Sequence, residues 1–150
     1  MREGIQVLTA DLMEKTIRAY FDACNTGSAE QVMTFFTPEA THYFPEGSPF
    51  GTLAGARAIG DCWARCVLEL GSYWTVDNFV GDPQTGKAVI EWTHFKKKSG
   101  LILRGDEWYQ FTLQGKISEI RAYYASPTHA GVKEHRIGGF DYRGRGYPLG

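Results

Sequence analysis

The feature that most restricts the fold of this chain is the order in which its hydrophobic periods appear. Helical spacing dominates the first half and strand-length runs broken by turn residues dominate the second, with the switch at Gly71. Thr9 stands where an N-cap belongs, and Leu12, Met13, Thr16, Ile17, Tyr20, Phe21 and Cys24 follow at helical spacing before Asn25-Thr26-Gly27 closes the segment. Ser28-Ala29-Glu30-Gln31 has the form of a capping box. It opens a short apolar helix through Val32, Met33, Phe35 and Phe36 that Thr37-Pro38 stops. Ala40 to Phe44 reads as a strand ending at Pro45, and a Gly/Pro/Ser-rich loop runs on to Gly51. A third helix is predicted from about Leu53 to Leu70, with Ile59, Cys62, Trp63, Cys66, Val67 and Leu70 on one stripe.

After Gly71 four strands are predicted: Tyr73 to Val80, Ala88 to Phe95, Leu101 to Phe111 and Lys116 to Ala125. Gly81 to Gly86, Lys97 to Gly100 and Gln114-Gly115 connect them as hairpin turns. Helices first and an antiparallel meander afterwards is an α+β pattern. The chain of 150 residues is the size of one domain. From Pro127 to Gly150 no period is sustained, yet Phe140, Tyr142 and Tyr147 give this tail rings to pack on its own subunit, a pocket mouth or a partner subunit.

Charge and composition remove several function classes. Sixteen basic and 17 acidic side chains leave a net charge of -1, which offers nothing to attract nucleic acid or an anionic membrane surface. The runs Lys96-Lys97-Lys98 and Arg143-Gly144-Arg145 lie beside glycine and read as solvated loop charge. No stretch approaches the roughly 20 apolar residues of a membrane span, and Met1-Arg2-Glu3-Gly4 does not begin a signal peptide, so a cytoplasmic protein is expected. Cys24, Cys62 and Cys66 are expected as reduced core thiols. Cys62 and Cys66 lie one helical turn apart, but no nearby Cys or His completes a metal site. Neither a His-x-His pair nor a His-Glu-x-x-His helix occurs, so no metal and no cofactor is expected.

Within the third long strand Glu107 is the carboxyl that stands out. In Asp106-Glu107-Trp108-Tyr109-Gln110-Phe111 the strand period puts it on one face with Tyr109 and Phe111. If that face is internal, an ionisable group sits in an apolar cavity, a costly placement that is often functional. The alternative is a structural pairing with Arg104 or Arg121, which a regular ladder puts on the other face and a β-bulge would bring round. His42 shares parity with Phe44, and His94 with Trp92 and Ile90; an ordinary imidazole pKa of about 6.5 suits either ring to proton transfer. Each is also readable as a half-buried ring bonded to backbone, and Tyr20 as a core ring. Glu91, Asp106, Arg104, Glu119 and Arg121 take the opposite parity and read as cross-strand ion pairs on an outer face.

Several of these segments together resemble the nuclear transport factor 2-like superfamily, in its SnoaL-like and ketosteroid-isomerase-like branches. The carriers are Tyr20-Phe21-Asp22-Ala23-Cys24-Asn25-Thr26-Gly27, Phe35-Phe36-Thr37-Pro38-Glu39-Ala40, the loop from Pro45 to Gly51, and Gly115-Lys116-Ile117-Ser118-Glu119-Ile120-Arg121. The resemblance implies one domain over residues 1–126, with residues 127–150 as an extension. It implies a curved, mostly antiparallel sheet wrapped around the helices as a cone-shaped barrel, an apolar pocket, and commonly a homodimer. Tyr20 matches a helix-one tyrosine that donates to a substrate oxyanion in ketosteroid isomerases, and Glu107 falls where those enzymes hold an acidic second donor. Their general base, an aspartate directly before the proline, is replaced here by Phe44 before Pro45.

The resulting expectation is a cofactor-independent acid–base enzyme of isomerase, dehydratase or polyketide-cyclase type, acting on a small apolar cyclic or aromatic metabolite. His42, as substitute base, abstracts or relays the proton while Tyr20 and Glu107 act as donors. Phe44, Trp63, Trp92, His94, Tyr109, Phe111, Ala122 and Tyr124 are expected to bind the substrate. The rival readings are a non-catalytic small-molecule-binding or dimerisation module and an interaction protein that uses its outer sheet face.

Overall fold

The structure is a computed structural model and describes residues 7–124 and 136–148. The first six residues, the expected strand end at Ala125 and the tail from Pro127 to residue 135 lie outside the described residues. Helix α1 spans Ala10–Thr26. It is opened by the Thr9 hydroxyl, which accepts the Leu12 N–H at 3.0 Å, and closed by Gly27, whose φ of 74° is the left-handed cap conformation. Helix α2, Ala29–Met33, starts where the Ser28 hydroxyl accepts the Gln31 N–H at 3.3 Å. Helix α3 is Ala56–Leu70 and ends at left-handed Gly71. These helices bury Met13, Ile17, Tyr20, Val32, Ile59 and Trp63 against one face of the sheet.

Two boundaries differ from expectation. Strand β1 runs over Phe36–Tyr43, so Phe36 and Thr37-Pro38 belong to a strand rather than to a helix end. A register shift between Phe36 and Thr41 accommodates Pro38, which has no N–H to give a ladder. Leu53–Ala54 forms a short strand, β2, against His42 and Thr41; Gly55, with φ of 96°, then breaks the backbone before α3 can begin.

Strands β3 (Ser72–Asp82), β4 (Lys87–Lys96), β5 (Leu101–Phe111) and β6 (Ile117–Tyr124) form the meander. The sheet order is β2-β1-β6-β5-β4-β3, with β1 parallel to β6 and every other pair antiparallel. The sheet is curved but does not close, leaving β2 and β3 as edges. Its outer face carries ion pairs between Arg104 and Glu91 at 3.1 Å and between Arg121 and Glu119 at 3.9 Å.

Residues 136–148 fold back over the outer side of β1 and β6 of the same chain. Ile137 bridges to Pro45, Phe140 packs edge-on against Tyr43 at 5.1 Å, and Arg145 pairs with Glu119 while lying over the Phe140 ring at 4.1 Å. Arg145 is therefore a docking residue, not solvated loop charge. No helix among the described residues is long and apolar enough to cross a membrane.

Candidate functional site

Four inward rungs of the β4–β5 ladder, Ile90 with Glu107, Trp92 with Gly105, His94 with Leu103, and Lys96 with Leu101, carry one wall of a cavity of about 210 Å³, which Glu107, Trp92, His94, Leu103, Lys96 and Leu101 line. Facing them are Tyr20, Phe21 and Cys24 from α1, Trp63 from α3, and Phe44, Pro49 and Phe50 from the chain after β1. Trp74 on β3 and Ala122 and Tyr124 on β6 complete the enclosure. Gly105 is required in this wall: a methyl there would sit 2.6 Å from the Tyr123 carbonyl oxygen and 2.7 Å from Cζ2 of Trp92. Asn25, at the end of α1, clamps Trp74 by donating to its carbonyl at 2.9 Å and accepting its N–H at 2.8 Å. The inner end is closed, while Leu101 beside Lys96 is 57% exposed and marks the mouth.

Glu107 is the carboxyl at the inner end, buried at 6% exposure. The Tyr109 hydroxyl donates to its Oε1, and Nε2 of His42 lies 3.8 Å from its Oε2. Burial raises the carboxyl to about 7, because the surrounding rings cannot solvate the anion, and the Tyr109 hydrogen bond opposes this only in part. Burial also drives His42 down to about 3, so its ring is neutral at ordinary pH. Its Nδ1 faces the Tyr43 carbonyl at 3.3 Å; with the proton on that nitrogen, the Nε2 lone pair is left toward Glu107. The site thus holds a carboxyl able to change protonation state near neutrality, backed by two neutral polar groups.

Tyr20 accepts the Trp63 Nε1–H at 2.8 Å, and its own proton lies toward the Cys24 sulfur one helical turn on. Burial holds its hydroxyl well above the ordinary phenol value, which keeps that proton in place. His94 stacks on Trp74 at 4.6 Å and shares a hydrogen bond with the Ser72 hydroxyl at 2.7 Å; burial, with Lys96 beside it, lowers it to about 4.

Of the residues singled out from sequence, Tyr20, Phe44, Trp63, Trp92, His94, Glu107, Ala122 and Tyr124 line the cavity. Three do not. His42 is not among the residues lining the cavity: it stacks face to face on Phe44, with centroids 4.2 Å apart, and adjoins the cavity through Glu107, 3.8 Å away, rather than as the expected first contact with substrate. Tyr109 and Phe111 are on the inward face but lie beyond Glu107, in the core at 2% and 4% exposure, so their expected place in the substrate wall is corrected too. Tyr109 instead orients Glu107.

Trp74, Cys24, Phe50 and Lys96 line the cavity without having been anticipated. Alternation in the strand from Tyr73 was the signal available for Trp74, while Phe50 lies in an irregular loop that gave none. No cluster of three or more metal-ligating side chains occurs among the described residues.

Comparison with known proteins agrees with this architecture. The family model described as SnoaL-like domain matches residues 17–120. Comparison with curated proteins returned no match. A protein of unknown function with a cystatin-like fold from Methylobium petroleophilum PM1 is 46% identical, with 97% of this chain and 96% of that chain covered and a TM-score of 0.90. An NTF2-like protein of unknown function from Cytophaga hutchinsonii is 12% identical over 83% of this chain and 95% of its own, with a TM-score of 0.61. The epoxide hydrolase/cyclase-like enzyme SalBIII, which has a role in pyran ring formation in the polyether salinomycin, is 14% identical over 76% of this chain and 91% of its own, at a TM-score of 0.62. The last two likenesses are likenesses of fold.

Proposed function

The chain belongs to the SnoaL-like domain family, and on that premise we propose that it is a cofactor-independent acid–base enzyme acting on a small, flat apolar metabolite. The observation that carries the proposal is Glu107, a carboxyl walled by aromatic rings and raised to about 7. Such a group serves equally as base and as acid near neutral pH. In this reading Glu107 removes a proton next to a substrate carbonyl and returns it elsewhere. The Tyr20 hydroxyl, fixed by Trp63, donates to the oxygen on which negative charge develops. Tyr109 holds the Glu107 carboxyl from behind by its hydrogen bond, and neutral His42, 3.8 Å away, packs beside it as a positioning residue.

Isomerisation, dehydration and ring closure all need this pair of groups. The fold shared with SalBIII supports ring-forming chemistry as one member of that set. A homodimer is part of the proposal; Trp108 and Tyr123, about 40% exposed on the outer sheet face, suit such an interface.

A cavity of about 150 Å³ accepts benzene, so about 210 Å³ suits a two-ring ligand. The test is enzyme-catalysed exchange of the acidic carbon-bound protons of 2-tetralone into deuterated water, followed by NMR. Wild type should catalyse exchange with a rate that rises through about pH 7. Glu107→Gln should lose about 10²–10⁴-fold and Tyr20→Phe a comparable factor, while affinity for the ketone stays within about tenfold, or ~1.4 kcal/mol. Exchange undiminished in both variants sinks the mechanism. Binding without any exchange favours the non-catalytic ligand-binding module.

A further inference from the structure

The cavity is polarised along its length. Glu107 occupies the inner rung of β4–β5, and three inward rungs later Lys96 occupies the outermost. Six residues of strand separate the two levels, roughly 20 Å of backbone at ~3.3 Å per residue, and the Glu107 and Lys96 side chains, which both reach the same cavity, shorten the span between the two charged ends. Between them the wall is aromatic: Trp92, His94, Trp74 and, from across, Trp63. A ligand lying along this axis meets a carboxyl at one end and an ammonium at the other.

The run Lys96-Lys97-Lys98 is not uniform solvated charge. Lys98 donates to the Leu68 carbonyl at 2.7 Å, and the Lys97 ammonium lies 4.8 Å from the centre of the Tyr73 ring. Lys96 has the parity of His94 and lines the cavity, and among the described residues its ammonium has no acidic partner. Glu69, which lines the adjoining groove with Lys96, is paired to Arg65 at 3.6 Å. A second donor is also unsatisfied: the Nε1–H of Trp92, a ring of the same wall, is buried without an acceptor.

We propose that the ligand of this cavity carries a carboxylate at its outer end and that Lys96 recognises it, which makes the substrate a flat cyclic or aromatic acid bound with its reacting carbon inward. This rests on the reading of the cavity as a ligand site and adds a chemical class to it. The orientation follows from charge. An anion at the inner end would face Glu107 without a cation to offset it, whereas at the mouth it forms a charge-assisted hydrogen bond beside apolar rings that shield it from water. The same arrangement selects against amine ligands, whose cation would meet Lys96 on entry.

The experiment compares 2-naphthoate with its neutral analogue 2-acetylnaphthalene. Binding is read from quenching of the tryptophans, three of whose four rings, Trp63, Trp74 and Trp92, line the cavity. Wild type should hold the carboxylate about tenfold tighter than the ketone, or ~1.4 kcal/mol. Lys96→Met, which keeps the apolar stem, should abolish that preference, read as the ratio of carboxylate to ketone affinity within the same protein. Lys97→Met should change neither, and added salt should weaken only the carboxylate.

An undiminished preference in Lys96→Met, a wild type with no preference, or failure of both probes to bind overturns the proposal. Ketone binding and 2-tetralone exchange without carboxylate preference would remove this inference and leave the acid–base reading standing. Carboxylate preference without exchange would do the reverse.

Discussion

Replacing Glu107 by Gln tests the electrostatics of the site without needing a substrate. The ordinary carboxyl value is 4.5, and the buried value is about 7; that rise corresponds to about 3 kcal/mol. Below pH 4.5 the folded and unfolded chains both hold the proton, and Glu107 contributes nothing to the pH dependence. Between 4.5 and about 7 the unfolded chain releases the proton while the folded chain keeps it, so the wild type loses stability as pH rises through that window. Above about 7 the loss is complete.

His42 slopes the opposite way. Its lowering from 6.5 to about 3 means that stability is gained as pH climbs between those values, in wild type and variant alike. The informative quantity is therefore the difference between the two proteins, not either curve. Gln keeps the shape and can still accept from Tyr109, so the difference isolates the charge. Urea unfolding followed by tryptophan fluorescence across this pH range should show the Glu107→Gln variant gaining on the wild type by about 3 kcal/mol between acid and neutral pH. A flat difference would mean that the carboxyl is not destabilised by its surroundings. A difference of opposite sign, with the wild type gaining as pH rises, would mean that Glu107 is ionised against a protonated His42 and that the neutral arrangement is wrong.

Two further outcomes follow from packing. Gly105→Ala puts a methyl 2.6 Å from the Tyr123 carbonyl and 2.7 Å from Trp92; thermal unfolding should report a loss of about 1–3 kcal/mol, with weaker 2-acetylnaphthalene binding as Trp92 is pushed into the cavity. Arg145→Ala removes both the Glu119 pair and the cation over Phe140, and because the guanidinium is partly exposed the loss should stay near about 1 kcal/mol and shrink at high salt.

The helices were legible because their ends carry residues with one job. Thr9 and Ser28 satisfy first-turn N–H groups, and Gly27 and Gly71 adopt left-handed caps that other side chains resist. Phe36 and Leu53 were misplaced because their apolar character serves either period. What decides them is tertiary: pairing of β1 with β6, and the positive φ of Gly55 that ends β2. The outer-face pairing of Arg104 with Glu91 was readable from parity alone, since a regular hairpin leaves only one face for each residue.

Parity also explains where the site was readable and where it was not. A strand period of two assigns a face, and on that basis Glu107, Trp92 and His94 fall inward together. It assigns no depth. Tyr109 and Phe111 share the face of Glu107 but lie on the far side of it, where the helices have already closed over the sheet, and His42 shares the face of Phe44 but stacks on that ring without lining the cavity. Lys96 fails in the opposite sense: it has the parity of His94, yet neighbouring lysines and a following glycine make it look like loop charge. Its face was therefore predictable and its role was not. Whether an inward residue reaches a ligand depends on its distance along the strand from the layer that caps the core, and Leu101, Lys96 and the loop carrying Phe50 show where that layer stops.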